Sequence, residues 1–315
     1  MFEKKKALIK EVIRRYITKT ALLEEKKSFG NKNSQKEIYI VRRPEPTVGL
    51  FSYIITTLGH IYRATEMNYD IVIDMKNYIN MYQQSKRDNA WEYFFEQPSG
   101  ISLEEAYESK NVILSSEEIP SVRPSDAIEF FENAEERKKW HELYCTYIKC
   151  NAEIKQYIRK REEELFANDS QKKVLGVLCR GTDYTKLKPQ NHPIQPTAEQ
   201  VIEKIFEIKE KYRVDNIFLV TEDEAVLEIF KERFSREELK YIETKRFKSS
   251  KEEYLVKTMK NRKADIKQQG IDYLTQIALL AKCDYFIAGR TSGSVGVAII
   301  TEGFEYEYYW DLGRY

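Results

Sequence analysis

The sequence has too little of several features to belong to several classes of protein. Lysine and arginine number 52 against 51 aspartate and glutamate, a formal net charge of +1. No excess positive field exists to recruit nucleic acid or an anionic membrane. No stretch approaches the roughly 18 uncharged apolar residues that span a bilayer, and the opening Met-Phe-Glu-Lys-Lys-Lys lacks the apolar core of a signal peptide. A cytoplasmic protein is therefore expected. The four cysteines follow no zinc-knuckle spacing and the three histidines are scattered, so no metal site is read. Cys145, Cys150, Cys179 and Cys283 are expected to act as small buried hydrophobes. Internal repeats and low-complexity tracts are missing, and so are G-x-G-x-x-G and a Walker A loop, which disfavours a hydride cofactor and a P-loop ATPase.

What is present is enough chain for two ordinary domains, 315 residues. Residues 3–27 have a weak helical periodicity, with Leu8, Ile9, Val12, Ile13, Tyr16 and Ile17 on one side, and residues 29–36 read as a polar linker. Strand 37–41, the turn at Gly49, a helix to about Met67 and strand 70–74 make a βαβ unit that opens a first α/β domain. Residues 85–100 are aromatic, with Trp91, Tyr93, Phe94 and Phe95 beside Asn89, Glu92 and Glu96. Such a run serves either as the flat wall of a sugar site or as a core patch beneath a loop. Residues 112–114 suggest a further strand and 125–166 two helices, with the domain boundary placed after residue 168.

The second half alternates regularly. Residues 174–179 have the length and composition of a strand buried on both faces. A helix capped by Thr197 and Gln200 follows, then strand 216–220, helix 225–234 and strand 240–243. A lysine- and arginine-rich excursion over 245–269 reads as a loop with some helix. Helix 272–281, strand 284–288, the turn 289–294 and a last helix complete the domain. Four strands alternating with helices imply a parallel sheet of Rossmann type.

In such a sheet the carboxyl ends of the strands share one edge, where ligands collect. Three polar turns fall there: Arg180-Gly181-Thr182-Asp183, Thr221-Glu222-Asp223, and Gly289-Arg290-Thr291-Ser292-Gly293-Ser294. Arg180 is a candidate anion clamp, able to hold a pyrophosphate bidentately; its plainer role is a surface pair with Asp183. Small residues in the last turn let backbone N–H groups approach a phosphate at a helix N-terminus, with hydroxyls from Thr291, Ser292 and Ser294. Asp183, Glu222 and Asp223 are candidates to accept from a ribose or to act as base, and Asp223 can equally cap the next helix. His192 is either a base near the same edge or a solvated loop histidine.

The segments VLGVLCRGTDY, IFLVTEDEAVLEIF and DYLTQIALLAKCDYFIAGRTSGSVGVAII resemble the donor-binding half of the fucosyltransferase superfamily. That superfamily includes the α1,6-, nodulation and protein O-fucosyltransferases. The order and spacing of the three turns agree over residues 172–302, and Gly49-Leu-Phe-Ser with strand 70–74 agrees loosely with the family's first domain. The resemblance implies a GT-B-like α/β fold, two Rossmann-like domains facing a cleft. Residues 1–168 would form the acceptor-side domain and residues 169–315 the donor domain. It further implies an inverting glycosyltransferase that takes fucose from GDP-fucose without metal or cofactor. The essential arginine of the family falls on Arg180, which would neutralise the β-phosphate of the leaving GDP, and Asp183 joins it as a catalytic candidate. Gly181, Thr182, Thr221, Glu222, Asp223 and the turn from Arg290 to Ser294 would bind the donor. Arg43, Gly49, Ser52, His60, Trp91 and His192 are acceptor-side candidates. The acceptor would be a glycan of surface-polysaccharide type, with room for peripheral association with a lipid-linked acceptor at the inner membrane face. Three departures mark this chain: Leu178 stands in place of the family's histidine, Gly181 in place of a second arginine, and Gln276 in place of an aspartate, with Asp272 one turn earlier. The same fold with another nucleotide sugar, and a nucleotide-sugar-binding subunit without catalysis, are the alternatives.

Overall fold

Five-residue apolar runs become the strands that order the first unit. The computed structural model describes residues 23–167, 172–181, 188–247 and 266–315. Ile38–Arg42 (β2) runs parallel to Asp70–Asp74 (β3) and to Val112–Leu114 (β4), and Glu25–Lys27 (β1) pairs antiparallel with β4 at the edge. The sheet order is β1-β4-β2-β3. Ile38, Ile40, Val72, Val112 and Leu114 cluster with Ile101, Leu103 and Ala106, the last two from Leu103–Ala106 (α2). The crossover from β2 to β3 is the 17-residue helix Leu50–Glu66 (α1), twelve of whose residues are buried.

Two expectations for the amino-terminal stretch change. Residues 3–22 of the expected helix lie outside the described residues, and Glu25–Lys27 is a strand, because its backbone closes the open edge of β4. The expected linker is held as well. The N–H groups of Phe29 and Gly30 donate to Ser109 O, Lys32 bridges to Ser109, and the Phe29 ring packs edge-on against Tyr107 at 5.0 Å.

The second unit carries a five-stranded, wholly parallel sheet of order β7-β6-β5-β8-β9. Its strands are Val174–Leu178 (β5), Asn216–Val220 (β6), Leu239–Lys240 (β7), Tyr285–Gly289 (β8) and Tyr306–Trp310 (β9). Helices Ala198–Lys211 (α6) and Glu224–Arg233 (α7) cover one face through Val201, Ile202, Ile205, Val226, Leu227 and Phe230. On the other face a side chain on Gly176 would be crowded, 3.0 Å from Leu280 Cδ2 of Ile266–Leu280 (α8) and 3.1 Å from Cys283 Sγ. Strand order in sequence therefore runs 3-2-1-4-5, reversing between β5 and β8. A strand at 306–310 is absent from the sequence reading, and the third strand is shorter and earlier than the expected 240–243.

The chain divides into two compact units, Met1–Pro124 with Glu142–Asn151, and Ser125–His141 with Ala152–Tyr315. The expected helices over 125–166 are three, Ile128–Glu132 (α3), Ala134–Tyr147 (α4) and Ala152–Phe166 (α5), and side-chain packing decides their allegiance. Phe131 stacks on Tyr309 at 4.1 Å, Arg137 pairs with Glu307 at 2.5 Å, and Tyr157 donates to Asp272 at 2.7 Å. Residues 142–151 go the other way, where Asn151 N donates to Phe94 O and Glu96 N to Lys149 O.

Candidate functional site

Strand order reverses between β5 and β8, the place in an open parallel sheet where ligands collect beyond the carboxyl ends, and register decides what stands there. Leu178 pairs with Val220 on one side and with Ala288 on the other. Two residues beyond each lie Arg180, Glu222 and Arg290, so three turns far apart in sequence arrive at one level. Arg180 Nε is 3.7 Å from Glu222 Oε1, and both side chains are about one-fifth exposed. The same carboxylate oxygen accepts from Gly181 N at 3.3 Å.

Gly181 is required by a close approach. A Cβ there would stand 2.5 Å from Asp223 Oδ2 and 2.7 Å from Asp223 Cβ. Asp223 is buried and caps α7, accepting from Ala225 N at 2.8 Å, while Thr221 Oγ1 accepts from Asp223 N at 3.2 Å. The capping role foreseen for Asp223 is the one observed. Thr182 and Asp183 lie outside the described residues, as does most of the basic excursion, 248–265.

The last turn behaves differently from its hydroxyl-rich appearance. Thr291 caps Ser292–Ile300 (α9) in a reciprocal capping box: Ser294 N donates to Thr291 Oγ1 at 3.2 Å and Thr291 N to Ser294 Oγ at 2.8 Å. Ser294 Oγ also donates to Thr291 O at 2.9 Å, so both hydroxyls take part in the cap. The donors left at the open end of α9 are the N–H groups of Ser292 and Gly293, with the half-buried Ser292 side chain beside them. What this helix end offers to an anion is therefore backbone N–H groups and the helix dipole. Arg290 turns toward the neighbouring strand, where register sets it beside Asp311 at 2.6 Å.

One residue of this edge escapes sequence reasoning. A side chain on Gly293 would overlap the Tyr273 hydroxyl and meet Leu178 Cδ2 at 3.2 Å. Tyr273 of α8 thus sits at the reversal point, over the N-terminus of α9. The helix period places Tyr273 on a packed face, yet nothing in the sequence says which strand end that face meets. Gln276 is buried on the same helix, and Asp272 serves α5 through Tyr157 and accepts from Gln268 at 2.9 Å.

Of the acceptor-side candidates, Arg43, Gly49 and Ser52 come together at the amino end of α1, and the others do not join them. Trp91 is fully enclosed, donating to Glu96 O at 3.0 Å and packing on Phe95 at 4.5 Å, so the aromatic run is core. His60 is also enclosed, 3.4 Å from Tyr39 Oη; burial foremost, then the charge of Arg43, pushes it down to about 3. His192 belongs to the second unit instead, exposed on a loop whose backbone it shares with Tyr315. Gly49 is the N-cap of α1, and Ser52 offers its carbonyl to Arg43 at 2.8 Å. Two of the four cysteines depart from expectation: Cys145 is exposed and Cys150 half-buried, at and just beyond the carboxyl end of α4, while Cys179 and Cys283 are buried.

No protein-family model matches the chain, and no curated protein matches it. Solved structures do. The fucosyltransferase NodZ from Bradyrhizobium superposes with a TM-score of 0.52 at 18% identity, over 84% of this chain and 92% of that one. A NodZ alpha-1,6-fucosyltransferase soaked with GDP-fucose gives 0.52 at 17%, over 84% and 93%. A mutant of Arabidopsis thaliana FUT1 in complex with GDP gives 0.50 at 8%, over 94% and 74%. At these identities the likeness defines the fold: the chain has the mixed α/β, GT-B-type fold of these proteins.

Proposed function

We propose that the protein is a glycosyltransferase that moves fucose from GDP-fucose to a hydroxyl of a glycan acceptor, with inversion and without a metal. The carrying observation is that Arg180 and the N-terminus of α9 occupy adjacent carboxyl ends, β5 and β8, on the two sides of the strand-order reversal. When the bond to the anomeric carbon breaks, negative charge gathers on the diphosphate. A fixed guanidinium and an open helix end stabilise that charge more in the transition state than in the ground state. Gly181, Glu222, Ser292 and Gly293 line the same edge as the proposed donor contacts, and Asp183 is the proposed catalytic carboxylate. The solved structures of this fold named above include one soaked with GDP-fucose and one in complex with GDP. We further propose that it acts in the cytoplasm on a surface polysaccharide; among the described residues no helix is long and apolar enough to cross a membrane.

Calorimetric titration of GDP, GDP-fucose, UDP and CMP into wild type and Arg180→Ala, with and without magnesium, tests this reading. GDP compounds should bind in EDTA, and the substitution should weaken them by about 1.5–3 kcal/mol, the range of a charge-assisted contact. Binding of UDP in place of GDP removes the fucose assignment, and binding of nothing removes the donor site. An acceptor panel with GDP-fucose then separates turnover from binding alone.

A further inference from the structure

Arg42 and Arg43 follow one another at the carboxyl end of β2 in opposite electrostatic surroundings. Arg42 is neutralised: NH2 pairs with Glu25 Oε1 at 2.6 Å and NH1 with Glu117 Oε1 at 3.4 Å. Arg43 is only 5% exposed, yet its partners are neutral. NH1 donates to Ser52 O at 2.8 Å and to Thr56 Oγ1 at 2.5 Å, and among the described residues no carboxylate lies within 4.0 Å of it.

The acids that could answer it are engaged elsewhere. Glu45 Oε1 accepts from Thr47 N and Oγ1 at 3.3 and 3.1 Å. The buried Asp74 accepts from Lys76 N, Asn77 N, Asn77 Nδ2 and Tyr107 Oη. Burial holds Arg43 below the usual guanidinium range; Tyr53 and the more distant Glu45 oppose that shift without cancelling it, and the neighbouring Arg123 adds to it. A buried cation without a counter-charge is costly and is rarely kept for stability.

Two further features face the same unmet charge. Arg43 is tied to the first turn of α1, a 17-residue helix whose N-cap, Gly49, gives no side-chain cap and whose first turn holds no acid. Tyr53, in that turn, has a buried hydroxyl with no hydrogen-bond partner among the described residues, and its ring centre is 5.9 Å from the Arg43 guanidinium. A guanidinium fork, an open helix end and an unused hydroxyl together suit a planar or tetrahedral oxyanion.

We propose that Arg43, the Tyr53 hydroxyl and the N-terminus of α1 form an anion site in the first unit that receives a carboxylate or phosphate group of the glycan acceptor. The word acceptor rests on the glycosyltransferase reading; the anion site does not. It makes the substrate class an acidic glycan, either one containing a uronic acid or one joined to a sugar phosphate.

The test uses the full chain carrying Arg180→Ala, so that the donor edge contributes no phosphate binding. Glucuronate and glucose 1-phosphate are titrated by calorimetry, with glucose as the neutral control, and Arg43→Met is then added. At least one anion should bind with a Kd in the millimolar range, weaken tenfold or more in Arg43→Met, and show which source is used. Ligand-free Arg43→Met should melt at or above the temperature of its parent, since an unpaired buried charge has been removed. Failure of both anions to bind, or equal binding in Arg43→Met, overturns the proposal. Should Arg43→Met not fold, Arg43→Lys keeps the charge without the fork and should still weaken the bound anion several-fold. GDP titrated into wild type and the single variant Arg43→Met should bind equally; loss of GDP binding in wild type sinks the donor reading and leaves the anion site standing.

Discussion

Glu222 Oε1 stands 3.7 Å from Arg180 Nε and 3.3 Å from Gly181 N, so one carboxylate spans the turn in which a diphosphate is proposed to bind. A diphosphate and Glu222 compete for the same guanidinium. Glu222→Gln keeps an acceptor for Gly181 N and removes the competing charge. For a pair as loosely set as this, 3.7 Å apart, the coupling is about 0.2–1 kcal/mol, so GDP should bind a few-fold more tightly. Calorimetry decides: weaker binding in Glu222→Gln would mean that the carboxylate holds the ligand, not Arg180.

The two glycines of this edge should respond unequally to alanine. At Gly181 the new methyl meets Asp223 Cβ and Oδ2, atoms fixed by the cap of α7. The cap and the turn must give together, a loss of about 1–3 kcal/mol by overpacking and lost capping. At Gly293 the methyl meets the far end of the Tyr273 side chain, which can swing aside. Gly293→Ala should therefore cost less, and Tyr273→Leu should relieve it. A double-mutant cycle on urea denaturation measures this; an additive pair would mean that the Tyr273 contact does not constrain Gly293.

The legible parts of the fold are those where one residue pattern has one structural meaning. Strands β3 and β6 are bounded in the sequence to the residue, and β5 to within one, because each is an apolar run closed by polar turns. Residues 306–310, Tyr-Glu-Tyr-Tyr-Trp, carry no such signal, since an edge strand half open to solvent needs no continuous apolar run. Glu25-Lys-Lys hides for a similar reason: an edge strand takes its stability from the backbone of β4. Arg180 is legible because a strand end fixes its place. Thr291 and Ser294 have the chemistry of phosphate ligands, but their mutual hydrogen bonds show that they hold each other. Tyr273, and the missing counter-charge at Arg43, are facts of packing that only three dimensions supply.

The thiols should divide by burial. Burial raises Cys179 and Cys283 far above the ordinary thiol range, with nearby carboxylates adding to the effect, and the thiolate is the reactive form. Cys145 is exposed and Cys150 half-buried. An aromatic disulfide reagent at pH 8 should label Cys145 first and Cys150 next, leaving Cys179 and Cys283 until the protein is denatured. Mass spectrometry of labelled peptides reads the order. Early labelling of Cys179 would mean that the β5 carboxyl end opens to solvent in the native state.

His60 should make the first unit sensitive to acid. It is 0% exposed, with Nδ1 3.4 Å from Tyr39 Oη. Burial first, and the Arg43 charge second, push its pKa down to about 3 from an ordinary 6.5. The folded value lies below the unfolded one, so between these values the unfolded chain binds the proton that the folded chain refuses. Stability from the neutral ring is complete above pH 6.5 and is lost as pH falls through the window toward 3. His60→Phe removes the titration while keeping a ring in the space. It should unfold at lower urea than wild type at pH 7.5, where the cavity shape is imperfect. On going to pH 4.5 its midpoint should then fall by less than that of wild type. Removing Arg43, as in Arg43→Met, should shrink the same acid dependence in the protein that retains His60, because the second cause of the shift has gone. Equal pH dependence in wild type and His60→Phe would place the acid sensitivity in the carboxylates instead.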